Sequence, residues 1–146
     1  MSRVTPATCE DVANALPILR QFITKSQLSV MRQECEEVQF YRDKLMAVVN
    51  IVTTMPKIYE QDDLGDDAIV HLHYFRGAMD WYITERDSDS GGVGQIQAFG
   101  LANLGYGGVL GYISIRQLLV NGIELDLYFK PRPLGTIRSR IRPAVA

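Results

Sequence analysis

The chain has 146 residues, 47% of them hydrophobic, which is long enough for one domain with a sizeable core. Charged residues make up 22% of the chain and the formal net charge is −2, so composition gives no general reason to expect binding to nucleic acid or to an acidic membrane. The charge is unevenly distributed. Residues 130–146 hold five basic and no acidic residues, whereas the other 129 residues carry a net charge of −7.

The N-terminal third contains apolar residues at helical spacing, with Thr8 as a candidate N-cap and Asp11 three residues later. Pro17 interrupts this spacing, so either the helix kinks there or a second helix begins with proline in its first turn. Apolar residues in the segment 38–55 alternate at intervals of three and four, which predicts a helix that ends before Pro56. The stripe is broad, so we expect it to pack on both the first helix and a sheet. A coiled-coil homodimer is the alternative.

An acidic, turn-rich connector at residues 60–67 separates this helical part, residues 1–58, from a part with strand character. The predicted strands are residues 68–75, 79–86, 95–101, 109–115 and 123–130. Their short links favour an antiparallel meander. The sequence therefore predicts a single α+β domain, with the N-terminal helices packed on one face of a mainly antiparallel sheet of about five strands. The sheet part covers residues 68–135, and residues 136–146 form a basic tail that is either disordered or a phosphate-contacting arm.

Nothing in the chain predicts export or membrane insertion. Cys9 and Cys35 are too few for a disulfide framework or a thiolate metal motif, which is typical of a reducing compartment. Glu10 and Asp11 lie where a signal peptide requires an apolar run. The most apolar segment, residues 45–55, is far shorter than the roughly 20 residues of a membrane-spanning helix. We expect a cytoplasmic protein that does not bind a membrane.

The only two histidines, His71 and His73, stand two residues apart on the first predicted strand. Side-chain alternation places both on the open, polar face of the sheet. Such a pair can bind zinc, with Asp80 or Asp126 as an oxygen ligand. A catalytic zinc site usually needs three protein ligands, and the sequence supplies two histidines. We therefore predict solvated or hydrogen-bonded imidazoles, without a metal or cofactor.

Other catalytic motifs are missing, since there is no Gly-x-Ser-x-Gly sequence and the glycine-rich segment 105–111 lacks the Gly-Lys-Ser/Thr of a phosphate-binding loop. On the last predicted strand, alternation places Leu127 and Phe129 in the core and Asp126 and Tyr128 on the open face. We predict no catalytic residue, and a binding surface made of the acidic connector and the open face. Its members are Asp62, Asp63, Asp66, Asp67, Asp80, Tyr82, Glu85, Arg86, Glu124, Asp126 and Tyr128.

Motifs in the sheet part occur in an order that resembles the bacterial domain-of-unknown-function 2958 family. They are DWYITE at 80–85, FG at 99–100, LGYIS at 110–114 and DLYFKPRPL at 126–134. The resemblance covers about residues 68–135 and implies an accessory gene of a plasmid, an integrative element or a phage. It implies no catalytic mechanism. The chain departs from the family pattern in a short link at residues 76–79 and in a glycine-rich loop where relatives show Gly-His-Glu.

Three functions follow from these observations. The first is non-enzymatic binding of a host protein or defence complex, as in counter-defence inhibitors of the anti-CRISPR or anti-restriction type, whose acidic surface competes for a basic nucleic-acid channel. The second is a metal-dependent hydrolase or nuclease that uses His71 and His73. The third is nucleic-acid binding through Arg138, Arg140 and Arg142.

Overall fold

The computed structural model describes residues 5–35, 37–88 and 94–141. The helices are α1 (Cys9–Asn14), α2 (Leu16–Leu19), α3 (Lys25–Cys35), α4 (Gln39–Thr54), α5 (Ile115–Val120) and α6 (Leu134–Arg138). The strands are β1 (Ile69–Val70), β2 (Leu72–Arg76), β3 (Met79–Glu85), β4 (Ala98–Asn103), β5 (Gly108–Ile113), β6 (Glu124–Leu125) and β7 (Arg132–Pro133). A 3-10 turn, Gly65–Asp67, lies in the acidic connector.

The helix boundaries follow from capping and from proline. The side chain of Thr8 accepts a hydrogen bond from the Asp11 amide, and the Asp11 carboxylate accepts one from the Thr8 amide, which confirms the predicted N-cap of α1. Pro17 lies in the first turn of α2, so the second of the two predicted arrangements is right. Helix α4 ends at Thr54, ahead of Pro56, as predicted. Helix α3 was not predicted from the sequence.

The main sheet has five strands in the order β5-β4-β3-β2-β6, and every neighbouring pair is antiparallel. The chain runs from β2 to β5 as a meander, crosses through α5, and returns to the opposite edge as β6. Strands β1 and β7 form a separate antiparallel pair. The α+β prediction is confirmed. The last predicted strand, residues 123–130, is wrong in its length, because pairing stops at Leu125 and the following residues turn away.

The main core lies between the N-terminal helices and one face of the sheet. Its fully buried members include Leu19, Ile23, Leu45, Tyr74 and Ile83. The Tyr74 hydroxyl donates a hydrogen bond of 2.5 Å to the Phe22 carbonyl, which ties β2 to the helical layer. The apolar stripe of α4 is buried in this core. It packs on the other helices and the sheet as predicted. Val38 and Phe40, at the N-terminal end of the stripe, are 37% and 47% exposed, so the coiled-coil homodimer stays a prediction.

A second, smaller core lies on the other face of the sheet, where Leu134 and Ile137 of α6 cover Val70 and Leu101. Phe129 packs here, so its predicted place in the main core is wrong. The buried Ile137 also shows that the chain is still part of the fold beyond residue 135, where the basic tail was expected to begin. Arg142 lies outside the described residues. Within the part of the chain that is described, no helix combines the length and apolar character needed to cross a membrane.

Candidate functional site

Three polar side chains meet on the second face of the sheet, beside the smaller core. His73 lies on β2, Asp80 on β3 and Asp126 directly after β6. The His73 Nε2 atom is 2.7 Å from Asp80 Oδ1, and its Nδ1 atom is 3.0 Å from Asp126 Oδ2. The Asp126 amide donates to the His73 carbonyl, so the backbone fixes the position of Asp126 as well. The antiparallel pairing of β2 with both neighbours produces this arrangement.

Aromatic rings hold the imidazole in place. The Tyr82 ring stacks on the His73 ring at a centroid distance of 4.7 Å and an interplanar angle of 8°, and Phe129 lies 5.6 Å from the same imidazole. Burial and, second, the charge of Asp80 raise the pKa of Tyr82. The Tyr82 hydroxyl therefore keeps its proton at neutral pH and can donate a hydrogen bond.

This geometry limits what His73 can do chemically. A neutral imidazole has one N–H donor and one acceptor nitrogen, so two hydrogen bonds to ionised carboxylates require a ring with protons on both nitrogens. Both ring nitrogens of His73 already contact a carboxylate, so a ligand at either nitrogen would first have to displace one of the two aspartates. In the described segments, no group of three or more His, Cys, Asp or Glu side chains has an arrangement that could hold a metal ion.

His71 does not belong to this cluster. It lies at the break between β1 and β2, where its amide donates to the Ile83 carbonyl. Its half-buried side chain lines a different cavity, of about 220 Å³, together with Lys44 and Val48 of α4, and burial lowers its pKa. The prediction that both imidazoles share the open face is therefore wrong. The interruption at His71 breaks the alternation on which that prediction depended.

Comparison of the chain with protein-family models, with curated proteins and with solved structures gave no match in any of the three. The resemblance to the domain-of-unknown-function 2958 family stays a prediction from the motifs.

The remaining predicted binding residues are distributed over separate surfaces. All four aspartates of the connector are exposed, and Asp66 lies 3.4 Å from the Arg138 guanidinium. Glu124 is exposed on β6, and the exposed Tyr128 ring lies under the Lys44 ammonium group at 4.9 Å. Of the predicted set, the structure brings together only Asp80, Tyr82 and Asp126 around His73.

Glu85 and Arg86 are not surface residues of the expected kind. Glu85 is 4% exposed, and its carboxylate accepts a hydrogen bond from the Tyr59 amide. The backbone of Arg86 bonds to Pro56 and Ile58, and its Nε atom is buried without a hydrogen-bond partner in the described part of the chain. Both residues thus fasten the turn after α4 to the sheet. Tyr59 in this turn has a left-handed backbone with φ of 73°, which is strained for a residue with a side chain.

The Glu85 carboxyl gives a pH-dependent contribution to stability. Burial raises the pKa of Glu85, and the amide hydrogen bonds offset only part of that effect. Because the folded pKa is above the unfolded one, the contribution is complete below the ordinary value of 4.5 and is lost as pH rises through the folded pKa. We expect wild type to lose stability relative to Glu85→Gln as the pH rises above the ordinary pKa of 4.5, measured by urea unfolding at a series of pH values. A constant difference between the two proteins would contradict this.

The structure has an exposed apolar surface at one edge of the sheet that was not predicted from the sequence. Strand β5 is an edge strand, and Val109 and Tyr112 are 67% and 56% exposed. Tyr106, in the loop before it, is 79% exposed, and the Tyr59 hydroxyl lies 2.7 Å from the Tyr112 hydroxyl. Together with Leu110 these residues form what we call the β5-edge surface. A signal was present in the sequence, because no charged residue occurs between residues 94 and 115.

Proposed function

We propose that the protein acts without catalysis, by binding another protein through the β5-edge surface. The partner contributes an extended, apolar segment with flanking Lys or Arg residues, which adds to the sheet beside β5. The mobile-element context implied by the family resemblance makes a host defence complex the expected class of partner, and inhibition of that complex the expected effect. The observation that carries the proposal is the exposed, uncharged edge strand.

The edge supports strand addition because, within residues 5–35, 37–88 and 94–141, it lacks the features that normally prevent it. An edge strand presents unpaired N–H and C=O groups, and proteins usually protect such edges with lysine, proline, bulges or a covering element. Strand β5, with the sequence GVLGYI, contains no charge and no proline. Its pairing with β4 is regular from Ala98 to Asn103, without a bulge. An incoming strand can therefore continue the ladder, while Val109 and Tyr112 contact its side chains on opposite faces.

Acidic residues near this edge indicate that basic residues flank the partner's apolar segment. After burial, the charges of Asp62 and Glu60 add to the rise in the pKa of Glu85. The pKa of Tyr112 is raised first by its hydrogen bond with Tyr59, and the charge of Asp62 adds to this rise. Asp63 is exposed in the same connector. An acidic rim of this kind favours a basic partner and speeds its encounter with the surface. The acidic connector of the sequence analysis thus acts here as the rim of an apolar surface.

The arrangement of His73 weighs against the hydrolase or nuclease alternative. The metal site predicted for this alternative needs imidazole lone pairs, and both ring nitrogens of His73 contact carboxylates. His71, the second proposed ligand, lines another cavity. Of the three arginines in the nucleic-acid alternative, Arg138 lies 3.4 Å from Asp66 Oδ1, and Arg142 lies outside the described residues.

The test replaces Val109, the second residue of β5, with lysine, which places a positive charge on the edge strand. We expect Val109→Lys to leave the far-ultraviolet circular dichroism spectrum unchanged and to weaken partner capture from a host lysate by about tenfold or more, because hot-spot substitutions in an interface cost on the order of 2 kcal/mol. In the captured complex, hydrogen exchange should slow at the amides of residues 108–113. The matched control is Val30→Lys on α3, where the valine is 63% exposed.

Equal loss of capture in both lysine variants would contradict the proposal, and so would exchange protection confined to the His73 cluster. Sedimentation tests whether the wild type associates with itself through β5. Self-association that Val109→Lys abolishes would show that the partner is a second copy of the chain and not a foreign protein.

A further inference from the structure

A groove of about 660 Å³ lies on the second face of the sheet, independent of the β5-edge surface in its chemistry. It is bordered by the His73 cluster, by the loop between β4 and β5, and by the end of α6. The side chains that matter for recognition are Asp80, Tyr82, Asn103, Arg132 and Arg140. Grooves of this volume are typical of small-molecule sites.

The groove offers more hydrogen-bond donors than its own residues use. Within residues 5–35, 37–88 and 94–141, neither Arg132 nor Arg140 forms an ion pair with a carboxylate. The Arg132 guanidinium is held 4.8 Å from the centroid of the Phe129 ring, which fixes its position without neutralising it. The Tyr82 hydroxyl, which keeps its proton, also has no hydrogen-bond partner in these segments. Two guanidinium groups and a phenol in one groove favour an anion.

Of the carboxylate oxygens that line the groove, one accepts no hydrogen bond from the described residues. Both oxygens of Asp126 are engaged, one with His73 and the other with the Tyr128 amide. Asp80 uses only Oδ1 for His73, so its second oxygen can accept a hydrogen bond from a ligand. A ligand that matches this set carries an anionic group and, beside it, a hydroxyl or amino donor. Phe129, Ile137 and Ile141 provide the apolar part of the lining.

We propose that this groove binds a small organic phosphate of the nucleoside monophosphate type. The phosphate lies against Arg132 and Arg140, whose guanidinium groups suit the geometry of phosphate oxygens. A sugar hydroxyl or a base amino group donates to Asp80. The apolar lining contacts the base. This proposal does not depend on the β5-edge surface, and each can fail without the other.

Isothermal titration of the full chain with adenosine 5′-monophosphate tests the proposal, with adenosine and inorganic phosphate as separate arms. We expect the nucleotide to bind more tightly than either part. We expect Arg132→Gln and Arg140→Gln each to weaken binding by about tenfold, as for loss of a charge-assisted contact of roughly 1.4 kcal/mol. Arg116→Gln, which removes an exposed arginine outside the groove, is the matched control and should leave binding unchanged. Asp80→Asn should reduce the preference for the nucleotide over inorganic phosphate.

Four results would overturn the proposal. The first is that none of the three ligands binds at about 10 mM, a concentration far above the range of specific sites. The second is equal affinity for the nucleotide and inorganic phosphate, and the third is an equal effect of the control and groove substitutions. The fourth is tighter binding of a single-stranded oligonucleotide, with the salt dependence of several phosphate contacts. The last result would assign the groove to nucleic acid.

Discussion

Gly100→Ala is expected to destabilise the protein by about 3 kcal/mol or more, which places it among the largest effects of a single substitution. Gly100 lies in the middle of β4, opposite Ile83 of β3, next to a register shift between Ile83 and Glu85. A Cβ atom on Gly100 would lie 1.9 Å from the Tyr82 carbonyl oxygen and 2.9 Å from its carbon. Both neighbours are backbone atoms, so no side-chain rotation relieves the overlap. The strands must separate locally, and the ladder at the centre of the sheet is weakened.

The sheet contains a matched control for this substitution. Gly111 of β5 is the direct cross-strand partner of Gly100, and a Cβ atom there would meet nothing within 4 Å. Gly111→Ala should change the free energy of unfolding by less than about 1 kcal/mol. Thermal unfolding of both variants checks the pair, with a fall of roughly 10 °C expected for Gly100→Ala in a domain of this size. Similar midpoints for the two variants would show that the close approach at Gly100 is tolerated.

The elements that the sequence predicted well are those fixed by local patterns. The capping box at Thr8, the break at Pro17 and the stripe of α4 each depend on residues within a few positions of one another. The predicted length of the last strand was wrong because its alternating pattern continues past Leu125, whereas its pairing with β2 stops there. Strand β2 pairs with only two residues of β6, so alternation alone overstated the length. Helix α6 was not predicted because its apolar residues are buried against Val70 and Leu101, which are far away in the sequence.

The candidate site was predicted in part for a similar reason. Asp80 and Asp126 were paired with the histidines from strand alternation, and the structure brings both aspartates to His73. Sequence could not separate His71 from His73, because the chain leaves strand geometry for a single residue between β1 and β2. It also could not show that Arg132 and Arg140 reach the same groove, since that depends on how β7 and α6 return over the sheet. Long-range topology, which period and spacing do not encode, decides these contacts.

His73→Ala is expected to destabilise the protein by about 2–3 kcal/mol, because it removes the group that two carboxylates share and the ring that stacks on Tyr82. The side chains of Asp80 and Asp126 are 26% and 27% exposed, so water screens part of the repulsion that remains, and the cost falls below that of a fully buried pair. Urea unfolding of His73→Ala and of His71→Ala separates the two histidines. His71 has no carboxylate contact in the described residues, and its loss should cost less than about 1 kcal/mol.

The double substitution Asp80→Asn/Asp126→Asn distinguishes the ionic contribution of His73 from its packing. If the imidazole is held mainly by charge, His73→Ala should cost at least about 1 kcal/mol less in this background than in wild type, since neutral amides leave no uncompensated charge. An unchanged cost would assign the effect to stacking with Tyr82 and Phe129. In that case His73 could release either carboxylate at little cost in stability, and its imidazole would be free to act in catalysis.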